Sequence, residues 1–321
     1  MNNWPLPYLC MHPPFFKIEM TPQQIGIPST TYTTANRVIH SFLVDNDVNL
    51  DTKTVTSFGE EWKNFHTFSE KEIEEHGHYF FDIITERMVN ANTVMADFGC
   101  GSGRFIKYFQ KRAKFIVGID PSEAIFAADT LVGKDENVEL CQASISNIPY
   151  ADETFDFAMS IGVLHHIPNT MEAMRDCVKK VKKNGYFCTY IYYNFDNKGL
   201  LFKALHKLSE VLRAVVSRMP QKLKMLACDM IAVILYMPFI LFATLLKKIK
   251  ISQRIVNKIP LSPYIGRTFF IIRNDALDRF GTPLEQRFSK QQIEKMMSDC
   301  GLTDIVFSPE PAYWHAVGRK V

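Results

Sequence analysis

"VMADFGCGSGRF", residues 94–105, decides how this chain is read. An apolar run leads into Asp97, and three glycines follow at alternate positions, Gly99, Gly101 and Gly103. The run has the character of a buried strand, and "GRFIKYFQKR" after it has the periodicity of a helix. Glycines at that junction let the backbone turn tightly and approach a ligand closely. The helix behind them is expected to aim its free N–H groups at the same place. The spacing is GxGxG, not the GxGxxG of a dinucleotide loop, and no Lys-Ser or Lys-Thr pair follows as a P-loop requires. A carboxylate directly ahead of the glycines repels a pyrophosphate and welcomes a cation.

Outward from this loop, strand and helix patterns alternate. "TVMADF", "KFIVGID", "VELCQA", "FDFAMSI" and "GYFCTYIYY" read as strands buried on both faces. "SEAIFAADTL" and "TMEAMRDCVKKV" read as helices between them, which predicts a doubly wound α/β domain with its ligand at the carboxyl edge of the sheet. "EKEIEEHGHYFFDIITERMV" predicts a helix over about 70–90, and "SKQQIEKMMSDCG" another before two closing strands, "DIVFSP" and "YWHAVGRK". The expected organisation is a loosely structured arm (1–69), a cofactor-binding core (70–194), an insert (195–275) and a C-terminal helix with closing strands (276–321).

A ligand bearing an ammonium group, a positively charged sulfur and one carboxylate suits such a loop, and here the chain resembles a known family. "VMADFGCGSGRF", "VGIDPS", "LCQASISNIPYADETFDFAMSIGVLHHIPN" and "VKKNGYFCTY" are similar, in order and spacing, to the motifs of the class I S-adenosylmethionine-dependent methyltransferases. The resemblance implies a Rossmann-like sheet, mostly parallel with an antiparallel last strand, interrupted by a helical insertion. It implies S-adenosyl-L-methionine as cofactor, held by Asp97, Phe98, Gly99, Cys100, Gly101 and Gly103. Asp120 and Pro121 would meet the ribose, Ser144 and Ile145 the adenine, and Ser160 and Ile161 the methionine part. The family usually carries an acidic residue where this chain has Ser144. Each position has a plainer reading as well: Asp120 as a helix cap, Asp97 as a strand-end carboxylate, Ser144 as a loop serine.

Methyl transfer needs little beyond in-line positioning, and a base only where the acceptor is a poor nucleophile. The candidates for a base are His165 and Tyr150, with Tyr192 and Tyr193 behind them. His165 and His166 could equally pack against the following turn.

Composition narrows the alternatives. The 321 residues are 47% apolar and 22% charged, as in a folded globular protein, and the net charge of +3 gives no footprint of a nucleic-acid binder. Seven scattered cysteines without a CxxC argue against a zinc site and for a reducing cytoplasm. Some relatives carry an N-terminal zinc ribbon, but Cys10 and His12 alone cannot supply four ligands, so no metal is expected. "MNNWPLPYLC" lacks the pattern of a signal peptide. The segment "SFGEEWKNF", with Trp62 and Phe65, is expected to pack over the cofactor entrance, and Trp314 and His315 to be structural.

The modest net charge hides a split. Residues 195–267 hold thirteen Lys/Arg against three Asp/Glu, a net of +10, which leaves −7 elsewhere. Within them "MIAVILYMPFILFATLL" (230–246) has no charge and is bracketed by lysines, with Pro238 expected to kink or break its helix. Three readings stay open: a membrane span, a helix lying peripherally on an anionic membrane surface, and a cap folded on its own domain. The expected activity is methyl transfer to a small-molecule, glycan or lipid-linked acceptor. The competing readings are an inactive S-adenosylmethionine-binding membrane adaptor and an NAD-dependent oxidoreductase.

Overall fold

The computed structural model describes residues 21–64, 68–195, 199–257, 259–310 and 314–321, with side chains omitted at 61–64 and 200–205. Nine strands form one sheet: β1 (Thr30–Thr33), β2 (Val38–Ser41), β3 (Val94–Phe98), β4 (Phe115–Ile119), β5 (Val138–Gln142), β6 (Phe155–Ile161), β7 (Val181–Tyr190), β8 (Leu302–Phe307) and β9 (His315–Lys320). Their order is β1-β2-β5-β4-β3-β6-β7-β9-β8. Strands β5, β4, β3, β6 and β7 are parallel, while β9 pairs antiparallel with both β7 and β8. Helices α1 (Thr52–Asn64), α2 (Glu70–Phe80), α3 (Arg104–Phe109), α4 (Ala124–Val132) and α5 (Thr170–Lys179) accompany the first seven strands. Helices α6 (Leu200–Val216), α7 (Gln221–Ile231), α8 (Met237–Lys248), α9 (Gln253–Val256) and α10 (Phe269–Gly281) form the insert, and α11 (Lys290–Asp299) precedes β8.

This order fixes where a ligand can sit. The chain runs from β3 outward through β4 to β5, then returns to place β6 on the other side of β3. At such a switch point the loops leave the sheet in opposite directions and open a crevice at the carboxyl ends of the strands. Every residue of β4 is buried, and two apolar clusters cover the two faces of the sheet. The insert carries its own small core, in which Val216, Cys228, Tyr236 and Ile240 meet Ile272, Leu277 and Phe280. Helix α10 crosses the boundary expected at 275/276.

Three local expectations change. The arm is not loose where it is described: β1 and β2 form a hairpin that extends the sheet past β5, with His40 opposite Cys141. Arg37 fastens it, its Nε donating to Asp129 Oδ1 at 2.7 Å, with side chains 10% and 5% exposed. The helix expected over 70–90 stops at Phe80, although Ser69 and Glu72 cap its start reciprocally. Beyond it Phe81, Ile83 and Ile84 join Phe80 in packing on the core. Pro238 does not break its helix. Residues 221–248 run as one helix whose turn widens to a π-helix over Ala232–Tyr236. The proline sits where that wide turn reverts to α-helix, so its missing N–H falls at a change of hydrogen-bond register.

Candidate functional site

A cavity of about 400 Å³ opens at the carboxyl edge of the sheet. The loop after β3 supplies Gly99, Cys100, Gly101 and Ser102, the end of β4 supplies Asp120 and Pro121, and the end of β6 supplies Ile161, Gly162 and Val163. Gly99 has φ +80°, and a Cβ there would lie 2.5 Å from Val163 Cγ2. Gly103 has φ +78°, and a Cβ there would lie 2.9 Å from Ala128 Cβ. Both positions therefore require glycine, the first for the cavity and the second for packing α3 against α4. The helix after the loop is shorter than expected, six residues in α3.

Asp120 holds the loop in shape. Its Oδ2 accepts from the Gly101 N–H at 2.9 Å, and its Oδ1 accepts from Ser122 N and Oγ at 2.8 and 2.6 Å. Asp120 does not cap α4, whose N-cap is Glu123, but folds back on Ser122, and the same side chain lines the cavity. Asp97 lies behind the loop at 1% exposure, and its Oδ2 has no hydrogen-bond partner among the described residues. Burial, and then the charge of Asp120, push its carboxyl up to about 8, while Arg104 pulls the other way. At neutral pH such an acid keeps its proton, and only a cation placed beside it would favour its charged form.

The other expected cofactor residues divide. Ile145 lines the cavity, as do Pro121 and Ile161. Phe98 and Ser160 are buried in the sheet, where Ser160 Oγ donates to the Phe98 carbonyl at 2.9 Å and ties β6 to β3. Ser144 is buried, and its hydroxyl donates to Asp47 Oδ2 at 2.6 Å, with Ser146 Oγ donating to the same oxygen. The loop ahead of α1 thus sets a carboxylate beside Ser144, although neither of the two is among the residues lining the cavity. Burial opposes the charge of Asp47, but these hydroxyls and the Asn49 amide outweigh it and hold its carboxyl below the ordinary range.

Of the four candidate bases, only Tyr192 is among the residues lining the cavity. Tyr150 is fully buried with its hydroxyl 3.4 Å from Gln24 Nε2, and burial pushes its phenol far up, so it keeps its proton near neutral pH. His165 is fully buried, stacked 3.9 Å from the Tyr192 ring, with neither ring nitrogen hydrogen-bonded among the described residues. Burial holds it neutral far below the usual imidazole range. Its neighbour His166 does line the cavity, with Nδ1 2.7 Å from the Leu284 carbonyl. His315 is buried against Asp82, its Nε2 2.6 Å from Oδ1, away from the cavity lining. Trp62 and Phe65 fall outside the described side chains, as do Cys10 and His12.

Of the opposite wall, the sequence offered only Tyr192. Helix α10 contributes Asn274, Asp275 and Asp278, the turn before it contributes Tyr264 and Arg267, and β7 contributes Tyr190 with Tyr192 just beyond it. Tyr192 donates its hydroxyl to Asp278 Oδ2 at 2.7 Å, and Tyr264 donates to Asp275 Oδ1. Burial raises the Asp278 carboxyl, the Tyr192 hydroxyl opposes that rise, and the charges of Asp275 and Glu285 add to it. A carboxylate so placed can take a proton at neutral pH. The signal was present as two acids three residues apart in "FFIIRNDALDRF", which puts both on one helix face.

Comparison with known proteins agrees with this crevice. Residues 96–189 match the family model of a methyltransferase domain. The chain is 30% identical over 99 residues to the tRNA (carboxymethyluridine(34)-5-O)-methyltransferase of Saccharomyces cerevisiae, covering 30% of this chain and 34% of that protein. It is 30% identical over 124 residues to the ubiquinone biosynthesis O-methyltransferase of Pseudomonas fluorescens, covering 37% and 52%. The structure of human N-acetylserotonin methyltransferase in complex with S-adenosylmethionine aligns with a TM-score of 0.47 at 12% identity, over 82% of this chain and 56% of that one. The chain thus spans about a third to a half of the curated relatives' length. Residues 96–189 are a class I S-adenosylmethionine-dependent methyltransferase domain, with S-adenosyl-L-methionine as cofactor. The site fits that cofactor through its loop, closed to any Cβ at Gly99, and through Asp120 in the lining, with the orphaned Asp97 carboxyl buried behind that loop.

Proposed function

We infer that this chain, built around a class I methyltransferase domain, methylates a hydroxyl on an apolar small-molecule or lipid-linked acceptor. The observation carrying this reading is that the cofactor loop and the Tyr192–Asp278 pair line one cavity. Bound there, S-adenosyl-L-methionine supplies a methyl group on a positively charged sulfur. Gly99, Gly101 and Asp120 would hold its nucleoside side, with Asp47 and Ser144 at the adenine end. Asp97 would balance its positive charge. Asp278, with Oδ2 occupied by the Tyr192 hydroxyl, would take the acceptor's proton on Oδ1. Phe80, Phe270, Ile271 and Tyr190 give the acceptor an apolar surround and exclude water.

The two relatives described above are named as O-methyltransferases, which supports oxygen as the acceptor atom, while another relative is named as a sterol 4-C-methyltransferase. A carboxylate beside Ser144, that of Asp47, favours the enzyme over an inactive adaptor. The test is incubation of the protein and methyl-labelled S-adenosylmethionine with an organic lipid extract and an aqueous glycan extract. Label in the organic phase, lost in Asp278→Asn, is the expected result. Label in neither phase, with the cofactor still bound, would return the adaptor reading.

A further inference from the structure

We propose that the outer face of the 221–248 helix docks on an anionic lipid bilayer and lies in its headgroup plane. This rests on surface chemistry alone and stands independently of the methyl-transfer reading.

From Leu223 to Leu245 every exposed residue of this helix is apolar. Ile234 is 70% exposed, Leu241 59% and Phe242 54%. An apolar patch of this length is uncommon on a surface that meets only water. Helix α6 adds Leu208, Val211 and Val215, all exposed. The charges within the segment are turned away or neutralised. Lys224 is buried, with its Nζ 3.2 Å from Ser57 Oγ, and Asp229 receives two hydrogen bonds from Arg273 at 2.6 and 2.7 Å. The exposed cations gather at the ends: Lys222 at one, and Lys247, Lys248 and Lys250 at the other. None of these four lysines makes an ion pair among the described residues.

An apolar face with lysines at both ends matches one occupant best, a bilayer with acyl chains beneath and anionic phosphates at the level of the lysines. Orientation follows from the other side of the helix. Cys228, Ala232, Tyr236, Ile240 and Ala243 recur at intervals of three and four and are buried, the first four in the insert core with α10. A helix crossing the membrane would strip this stripe from α10, expose the Asp229–Arg273 pair to hydrocarbon and send one set of lysines to the far side. A helix lying in the plane keeps every one of these contacts.

The test uses the full chain in co-sedimentation with vesicles of phosphatidylcholine alone and of equimolar phosphatidylcholine and phosphatidylglycerol. Binding should favour the anionic vesicles and weaken with salt. The double variant Lys247→Glu, Lys248→Glu should weaken it by roughly ten-fold or more. Ile234→Glu with Phe242→Glu should remove it, while both variants, altered only at exposed positions, retain cooperative thermal unfolding. Equal binding to both vesicle types, or binding indifferent to the lysine reversal, would overturn the proposal. So would a dimer in solution that Ile234→Glu dissolves, which would assign the face to a second copy. Resistance to alkaline extraction from cell membranes would assign it to a span.

Discussion

The two walls of the cavity are made in different ways. The sheet-edge wall comes from consecutive residues: three loops at the ends of β3, β4 and β6, with Asp120 bonded back to Gly101 at 2.9 Å. The insert wall comes from side chains that meet only after folding, such as Tyr192 and Asp278, 86 positions apart. The first wall holds a cofactor with backbone and fixed carboxylates. The second presents titratable acids in an apolar frame to whatever the cofactor faces. Binding and proton transfer are thereby separated onto different parts of the chain, and single substitutions should affect one without the other.

The sharpest separation lies at Asp278. Asp278→Asn should lower the rate of methyl incorporation by roughly 10²–10⁴-fold with cofactor affinity unchanged, read by labelled transfer and by calorimetry. Wild-type activity should rise with pH through a carboxyl raised above its ordinary value near ~4, and the variant should lose that limb. Equal losses in binding and rate would merge the two walls.

Next in size is the arm whose hairpin extends the sheet past β5. Arg37→Ala leaves Asp129 buried without its counter-charge, so unfolding in urea should show a loss of about 3–5 kcal/mol. A change within about 0.5 kcal/mol would mean that the hairpin is only laid on the surface.

Asp97→Asn should move stability and function in opposite directions. The folded carboxyl sits near 8 against an ordinary 3.8, so the folded state holds a proton that the unfolded state releases between those values. Stability contributed by this group is therefore lost as pH rises from about 4 to about 8. The amide avoids that loss, and the gain in Tm should grow from pH 5 to pH 8, reaching a few degrees (roughly 2–4 °C per kcal/mol). Cofactor binding should weaken in the same variant.

The smallest effect is expected at His165. Neither of its ring nitrogens has a partner among the described residues, so His165→Phe keeps the stack on Tyr192 and should change activity and stability little. A large fall in activity would restore it as a base.

The sheet and its loop were legible because their signals are local: buried strands as apolar runs, and glycines where the backbone must turn under a ligand. The insert's charge split was legible by counting. The pairings were not. Asp47 meets Ser144 across 97 positions, and nothing in "VDNDVN" announces that its second aspartate stands beside that serine. The β1–β2 hairpin was missed because its outer strand is exposed throughout and carries no apolar alternation. His165 and Tyr150 were misjudged for one shared reason. A residue next to a ligand edge can face the cavity or the core, and sequence gives its position but not its direction.

The central claim is that the buried Asp97, protonated in the free protein, becomes the counter-charge of a bound sulfonium amino acid. Titration calorimetry with S-adenosylmethionine at pH 7, in two buffers of different ionisation enthalpy, reads this directly. The account predicts micromolar or tighter binding with release of up to about one proton, and with that release lost in Asp97→Asn. Absence of binding, or binding without a proton leaving, would contradict it.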